Sequence, residues 1–406
     1  MSSATNPHQI VVLGGNFGGV GLVHTLLRHT LPALRRASKD QTYHVTLVTP
    51  NTQFYFKVSS PRAAVNPALL PEAKLWHSLA EAFSQYPAEQ FTLVQAVATA
   101  VDAANRTVTI SSKGQQQQTL PYDSLVISTG TTTTSPLWGL HDDESLTSAA
   151  YKTLQAGLAT AKTVLVAGGG AVGVEVTGEI AAAFPSVQIT LVSGGTRLLQ
   201  RVVEKTGTKA ENYLKKLNIK VIHNVTVTSA VPVDAKSGSA ATTVTLSDGQ
   251  SHAVDVYVDA TGGRPNSGYL PATWLDKRGS VVTRDAYFRV KGTADADAAG
   301  VYVVGDLVAG SNNTLMELGP MVQVACSAIA ADITAKLNNS GAGLKVPAVK
   351  EYKPMKDTII VPIGTGGGVG LIMGWQAPSL MVRFTKGRTF LVEMVEQVVS
   401  GTYWKA

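Results

Sequence analysis

Two glycine-rich stretches carry the most chemistry in this chain. Gly14-Gly15-Asn16-Phe17-Gly18-Gly19 follows the apolar run Ile10-Val11-Val12-Leu13, and Gly168-Gly169-Gly170-Ala171-Val172-Gly173 follows Thr163-Val164-Leu165-Val166. Such a turn lets backbone approach a pyrophosphate, which the first N–H groups of the following helix and its dipole then hold. One turn of this kind is weak evidence. Here each is followed by a helix-period stretch and a second strand, residues 44–48 and 188–192, the context that a dinucleotide-binding βαβ unit requires. The second copy is complete in Gly168, Gly170 and Gly173, with Val172 in the turn and Glu175 behind it. The first has Asn16 where the middle glycine belongs, which predicts a left-handed backbone there. Neither second strand ends in an acid that would hold a ribose 2′-hydroxyl: Val48 leads into Thr49 and Val192 into Ser193. Ser193 with nearby Arg197 would tolerate a 2′-phosphate, so the sequence leans to NADPH over NADH.

The elements that position these turns must be spread over two or three domains, because 406 residues exceed one hydrophobic core. With 15% charged and 44% hydrophobic residues and 38 glycines, the chain reads as globular and loop-rich. Its single cysteine, Cys326, excludes an internal disulfide, a Cys-x-x-Cys centre and any multi-cysteine metal site. The eight histidines are scattered, and His24 and His29 lack the spacing of a ligand pair, so no metal is expected. The start, Met1-Ser2-Ser3-Ala4, shows neither a secretory nor an N-myristoylation pattern, and a reducing cytoplasm fits best. Of the net charge of +6, the stretch from Lys345 onward holds eight Lys/Arg against four carboxylates. No aromatic residues interleave with them, so a nucleic-acid partner is not expected; anionic lipid, a phosphorylated ligand or plain solvent remain.

Further signatures follow in order. Tyr122-Asp123-Ser124-Leu125-Val126-Ile127-Ser128-Thr129-Gly130 is a strand ending in small residues, and Asp259-Ala260-Thr261-Gly262-Gly263-Arg264-Pro265 repeats that design. Val301-Tyr302-Val303-Val304-Gly305-Asp306 is an apolar strand delivering one carboxylate at its end. This set, along the whole chain, resembles the FAD- and NAD(P)-binding pyridine-nucleotide oxidoreductases. Within them it is similar to the apoptosis-inducing-factor-like, ferroptosis-suppressor-like group and its fungal relatives. The more specific matches are residues 54–62 (Phe-Tyr-Phe-Lys-Val-Ser-Ser-Pro-Arg), 366–370 and 380–390.

The resemblance implies an α/β fold of two Rossmann-like, glutathione-reductase-like domains plus a small C-terminal α+β region. The expected division is 1–135 and 285–345 for FAD, 136–284 for NAD(P), and 346–406 on the acceptor side. It implies that Asp306 bonds the flavin ribityl chain, that Arg62 lies near the flavin or its phosphates, and that Glu175 faces the nicotinamide ribose. The helix carrying Met321 and Val322 would point its N-terminus at the flavin pyrimidine, and Lys386 and Phe390 would lie near the ring. On its helix Cys326 reads as a small buried hydrophobe rather than a catalytic thiol. Hydride would pass from NADH or NADPH to FAD, and electrons then to a quinone-type acceptor. The alternatives are a small iron–sulfur carrier protein as acceptor, or a flavin-containing redox sensor that binds nucleic acid. Residues 358–382 hold no charge but six glycines, Pro362 and Pro378, too broken for a spanning helix. With Leu371, Ile372, Met373, Trp375, Leu380 and Met381 they suit a membrane-surface patch, an acceptor pocket, a homodimer interface or a cap over the flavin. A peripheral location on membranes or lipid droplets, as monomer or homodimer, is therefore allowed.

Overall fold

The computed structural model describes residues 6–233, 242–355 and 357–405. Runs of β-branched and aliphatic residues form two all-parallel sheets. The first has the order Val301–Val303, Ser124–Ile127, His8–Leu13, Tyr43–Thr49, Phe91–Gln95. The second has the order Lys220–His223, Gln188–Ser193, Thr163–Ala167, Val256–Asp259. Both are buried on two faces, as crossover helices demand. Each sheet also carries a three-stranded antiparallel ribbon: Val97–Asp102, Thr107–Ser111 and Gln118–Pro121 in the first unit, Val227–Pro232, Thr242–Leu246 and Ser251–Val254 in the second. The duplication read from the glycine turns thus extends to the ribbons, although the first parallel sheet has five strands and the second four.

The chain leaves the first unit and returns to it through one antiparallel pair, Thr131–Thr133 against Gly263–Pro265. Beside it, Thr129 Oγ1 donates to the Asn266 carbonyl at 2.8 Å, and Asn266 Nδ2 donates to the Thr129 carbonyl at 2.8 Å. Past this crossing, Asn266, Gly268 and Tyr269 line the first unit's cavity. We therefore propose that the second unit closes near residue 265, earlier than the residue 284 expected from the sequence.

The helix Leu315–Asn339 packs along the helix Phe17–Thr25, where Cys326 is buried with its thiol against the Leu22 carbonyl. Burial pushes that thiol's pKa up, so it is inert, as expected of a small core residue. This helix is long and apolar enough to cross a membrane, but more than half of the window that qualifies is buried inside the protein. The C-terminal region forms the antiparallel sheet Ile359–Pro362, Gly368–Ile372, Trp375–Gln376, then short helical turns and the helix Val395–Ser400. It clamps both units. The Trp404 ring lies where a side chain on Gly21 would be, and Ile363 and Gly364 lie where one on Gly178 would be.

His24 secures this clamp from beneath: its Nε2 donates to the Val399 carbonyl at 2.8 Å, and its Nδ1 accepts from the Tyr86 hydroxyl at 2.7 Å. Burial lowers the pKa of His24 to about 4, and does the same for His8 beside Ser124. A folded-state pKa below the unfolded one means that protons favour the unfolded chain. Stability is thus full above about pH 6.5 and falls toward pH 4, by about 1.4 kcal/mol per unit and per histidine. Denaturant midpoints measured across that window check this, and a flat profile would contradict it.

Candidate active site

The two glycine turns are superposable in what they forbid. A Cβ on Gly14 or Gly168 would strike the Ser128 or Ala260 carbonyl, at the end of the neighbouring strand. One on Gly15 or Gly169 would strike Thr49 or Ser193, and one on Gly19 or Gly173 the carbonyl of Gly14 or Gly168. Gly14 and Gly168 also sit at φ +106° and +128°, which side chains resist. The third position differs. Gly170 faces open space, and Asn16 takes the same place with φ −111° and ψ −155°. The expected left-handed Asn16 is thus wrong: this position needs clearance for a ligand, not a positive φ. Asn16 instead turns its amide aside, where Nδ2 donates to the Tyr55 carbonyl at 3.2 Å. Neither following helix, Phe17–Thr25 or Ala171–Ala183, has a side-chain cap, so the N–H groups of both first turns are left for a ligand.

Over the first turn lies a cavity of about 720 Å³. Gly14, Gly15, Asn16, Phe17, Gly18, Thr49, Thr129, Gly130, Gly305 and Asp306 all line it. Strand order lays out its length. Thr49, Asn51 and Ala96–Thr99 lie at or just past the ends of two strands on one side, Gly305 and Asp306 just past the outermost strand on the other, and the glycine turn lies between. Four strand spacings make this about 19 Å, the reach of an extended dinucleotide. The wall also holds polar atoms that are buried without partners: Asn16 Oδ1, Asn51 Oδ1 and His141 Nε2. A cradle closed to side chains, uncapped helix ends and a polar wall short of partners fit FAD.

Several expected residues lie elsewhere. Arg62 is 2% exposed and does not line this cavity. Its Nε and Nη2 donate to Glu179 at 2.8 Å each, and its Nη1 donates to the carbonyls of Gly387 and Arg388, both at 2.8 Å. It is a tie between three parts of the chain, not a phosphate ligand. Met321 and Val322 are core residues, because their helix begins at Leu315; Thr314, Leu315 and Leu318 line the cavity in their place. Phe390 is buried beneath the Arg62 guanidinium, 4.6 Å from its ring centre, and does not line this cavity. Arg197 spends Nη1 and Nη2 on the carbonyls of Leu198, Leu199, Gln200 and Val202, and Ser193 is buried against Gly169. The reason for preferring NADPH therefore falls away. Val172 and Gly262 flank the second turn, Gly262 at φ +108° with open space before it.

Glu175 is buried and meets Lys386, whose Nζ donates to Oε1 at 2.6 Å. Burial raises the Glu175 carboxyl above the usual carboxylate range, with the ammonium pulling it back. One helix turn on, Glu179 holds Arg62, so two carboxylates on one helix face two cations from elsewhere. Lys57, Asn51 and His141 were not singled out as site residues, since no spacing marks them. Lys57 reaches Asp306, Nζ to Oδ2 at 2.6 Å.

Comparison with known proteins now decides the family. Residues 8–328 match the family model described as pyridine nucleotide-disulphide oxidoreductase. The chain belongs to that family. It is 30% identical to the oxidoreductase phnG of Penicillium herquei, across 99% of this chain and 98% of that one. It is 22% identical to the human (Homo sapiens) ferroptosis suppressor protein 1, across 95% and 94%. Among solved structures it resembles the sulfide:quinone oxidoreductase of Aquifex aeolicus, with TM-score 0.69, 16% identity and coverage of 97% and 92%. It also resembles NDH2 from Plasmodium falciparum in complex with NADH, with TM-score 0.63, 15% identity and coverage of 99% and 100%. This oxidoreductase has the two-Rossmann α/β fold of its family and uses FAD and NAD(P)H.

Two substitutions test the site. Arg62→Met leaves the Glu179 carboxylate buried without a counter-charge and is expected to cost about 3–5 kcal/mol in denaturant unfolding. Asp306→Ala is expected to yield protein with little bound FAD, and stoichiometric flavin in that variant would refute the assignment of Asp306.

Proposed function

We propose that this oxidoreductase passes electrons from NAD(P)H to a quinone-type acceptor. Bound FAD supplies the two-electron acceptance from the nicotinamide and the release of electrons to a second substrate. The carrying observation is that the sole cysteine is buried and inert, so the acceptor must come from outside the chain. The C-terminal region offers surface suited to an apolar one. Met373, Trp375, Leu380, Met381 and Phe384 are all exposed there, Trp375 at 81%. Exposed apolar side chains gathered in one region suit a lipid or apolar ligand, and Arg383 and Arg388 in the same segment suit anionic headgroups. Peripheral membrane contact through this region is part of the proposal.

Glu175 and Lys386 are the residues we assign to the junction of the two cofactors and the acceptor side. One comes from the second glycine helix, the other from the segment bearing the apolar patch. Reducing a quinone to its quinol consumes two electrons and two protons. Lys386 Nζ holds a proton 2.6 Å from a carboxylate whose burial makes proton uptake easy. The basic C-terminal region also suits an acidic iron–sulfur protein as the acceptor, a second reading that salt separates.

Turnover with NADH and NADPH across a quinone panel, with and without anionic vesicles, tests both readings. Quinone reduction that persists at high salt is expected, and rates confined to an iron–sulfur protein at low salt would favour the second reading. Lys386→Met is expected to lower kcat by about a hundredfold or more, the scale of one lost proton donor, while FAD stays stoichiometric.

A further inference from the structure

Among the described residues lining the cavity over the first glycine turn, three bear formal charge: Lys57, Asp142 and Asp306. Lys57 is the only Lys or Arg there. A dinucleotide brings two negative charges into a space whose lining is already negative on balance. The uncapped helix end offsets part of this, but a dipole end is worth only about half a charge.

The position of Lys57 is built by the neighbouring residues. Asn16 Nδ2 holds the Tyr55 carbonyl at 3.2 Å, and the Phe17 ring packs on Phe54 and Phe56, with ring centres 4.9 and 5.3 Å apart. Asn16 and Phe17 belong to the glycine turn itself. The segment carrying Lys57 is therefore fastened to the place where a diphosphate would sit. From there the ammonium reaches forward to Asp306 Oδ2 at 2.6 Å, at the end of the outermost strand. Lys57 thus stands between the phosphate cradle and the carboxylate assigned to the ribityl hydroxyls. It is 34% exposed at its side chain, open to a ligand and not locked in the core.

We infer that Lys57 is the cation that receives the FAD diphosphate, with its ion pair to Asp306 orienting that carboxylate toward the ribityl chain. Asn16, where a glycine would be ordinary, is the residue that delivers it. This rests on the first cradle being the FAD site and is independent of which acceptor the enzyme reduces.

The test uses the full chain freed of flavin and titrated with FAD and with riboflavin, which lacks both phosphates, at low and high salt. Lys57→Met is expected to weaken FAD by about tenfold or more at low salt, to flatten the salt dependence of FAD binding, and to weaken riboflavin by a clearly smaller factor, the share lost through Asp306. Lys57→Arg is expected to keep FAD affinity and serves as the folding control. Unchanged FAD affinity in Lys57→Met overturns the inference, and so does an equal loss for riboflavin and FAD, which would confine Lys57 to holding Asp306. Failure of the wild-type chain to bind FAD at all would instead overturn the cofactor site.

Discussion

The relative placement of the two cradles depends on one buried array of charge. Glu175 and Glu179 lie one turn apart on the helix that begins at the second glycine turn. Arg62 comes to Glu179 from the first unit, and Lys386 comes to Glu175 from the C-terminal region. Between the cations lies Phe390, 4.6 Å from the Arg62 guanidinium and 5.4 Å from the Lys386 ammonium. Ion pairs removed from water add little net stability, but they are intolerant of displacement, since either charge left alone is costly. The array therefore works as a positional lock between three parts of the chain. The backbone bears the strain of it: Phe390 and Leu391 are both left-handed, at φ +51° and +64°, while the Phe390 carbonyl accepts from Ser59 Oγ at 2.7 Å.

Much of the fold was legible because it is local. A β-branched run, a glycine turn, a helix period and a second strand lie within about fifty residues, and sterics at Gly14, Gly15 and Gly19 leave those turns few other conformations. The cavity lining was legible where a residue lies in the glycine turn or follows the end of a strand, as Asp306 does. Arg62 was misread because its partners lie far along the chain, at Glu179, Gly387 and Arg388, and an arginine's sequence neighbours say nothing of a carboxylate beyond a hundred residues away. Arg197 was misread for the opposite reason: a guanidinium so close to the turn is within reach of its own loop's carbonyls, which hold it in place. Asn16 looked like a defect in a motif, yet its role lies in the side chain, which no backbone rule for glycine anticipates.

The C-terminal turn completes the argument. Over Ser379–Val382 and the wider-wound Arg383–Gly387, Val382 and Gly387 point inward with Lys386, while Leu380, Met381 and Phe384 point outward. A wide turn of this kind is uncommon and concentrates at functional positions, because it re-aims side chains that a regular helix would stack. Here it places the cation of the buried array and the apolar surface on opposite sides of a single short segment. Any lipid or apolar acceptor that seats on Leu380 and Phe384 bears on the same backbone that holds Lys386 against Glu175. An acceptor seated there, as proposed, would be linked to the cradle helix through residues 380–386, whereas a flexible tail carrying the same side chains would leave its approach uncoupled from the cofactor junction.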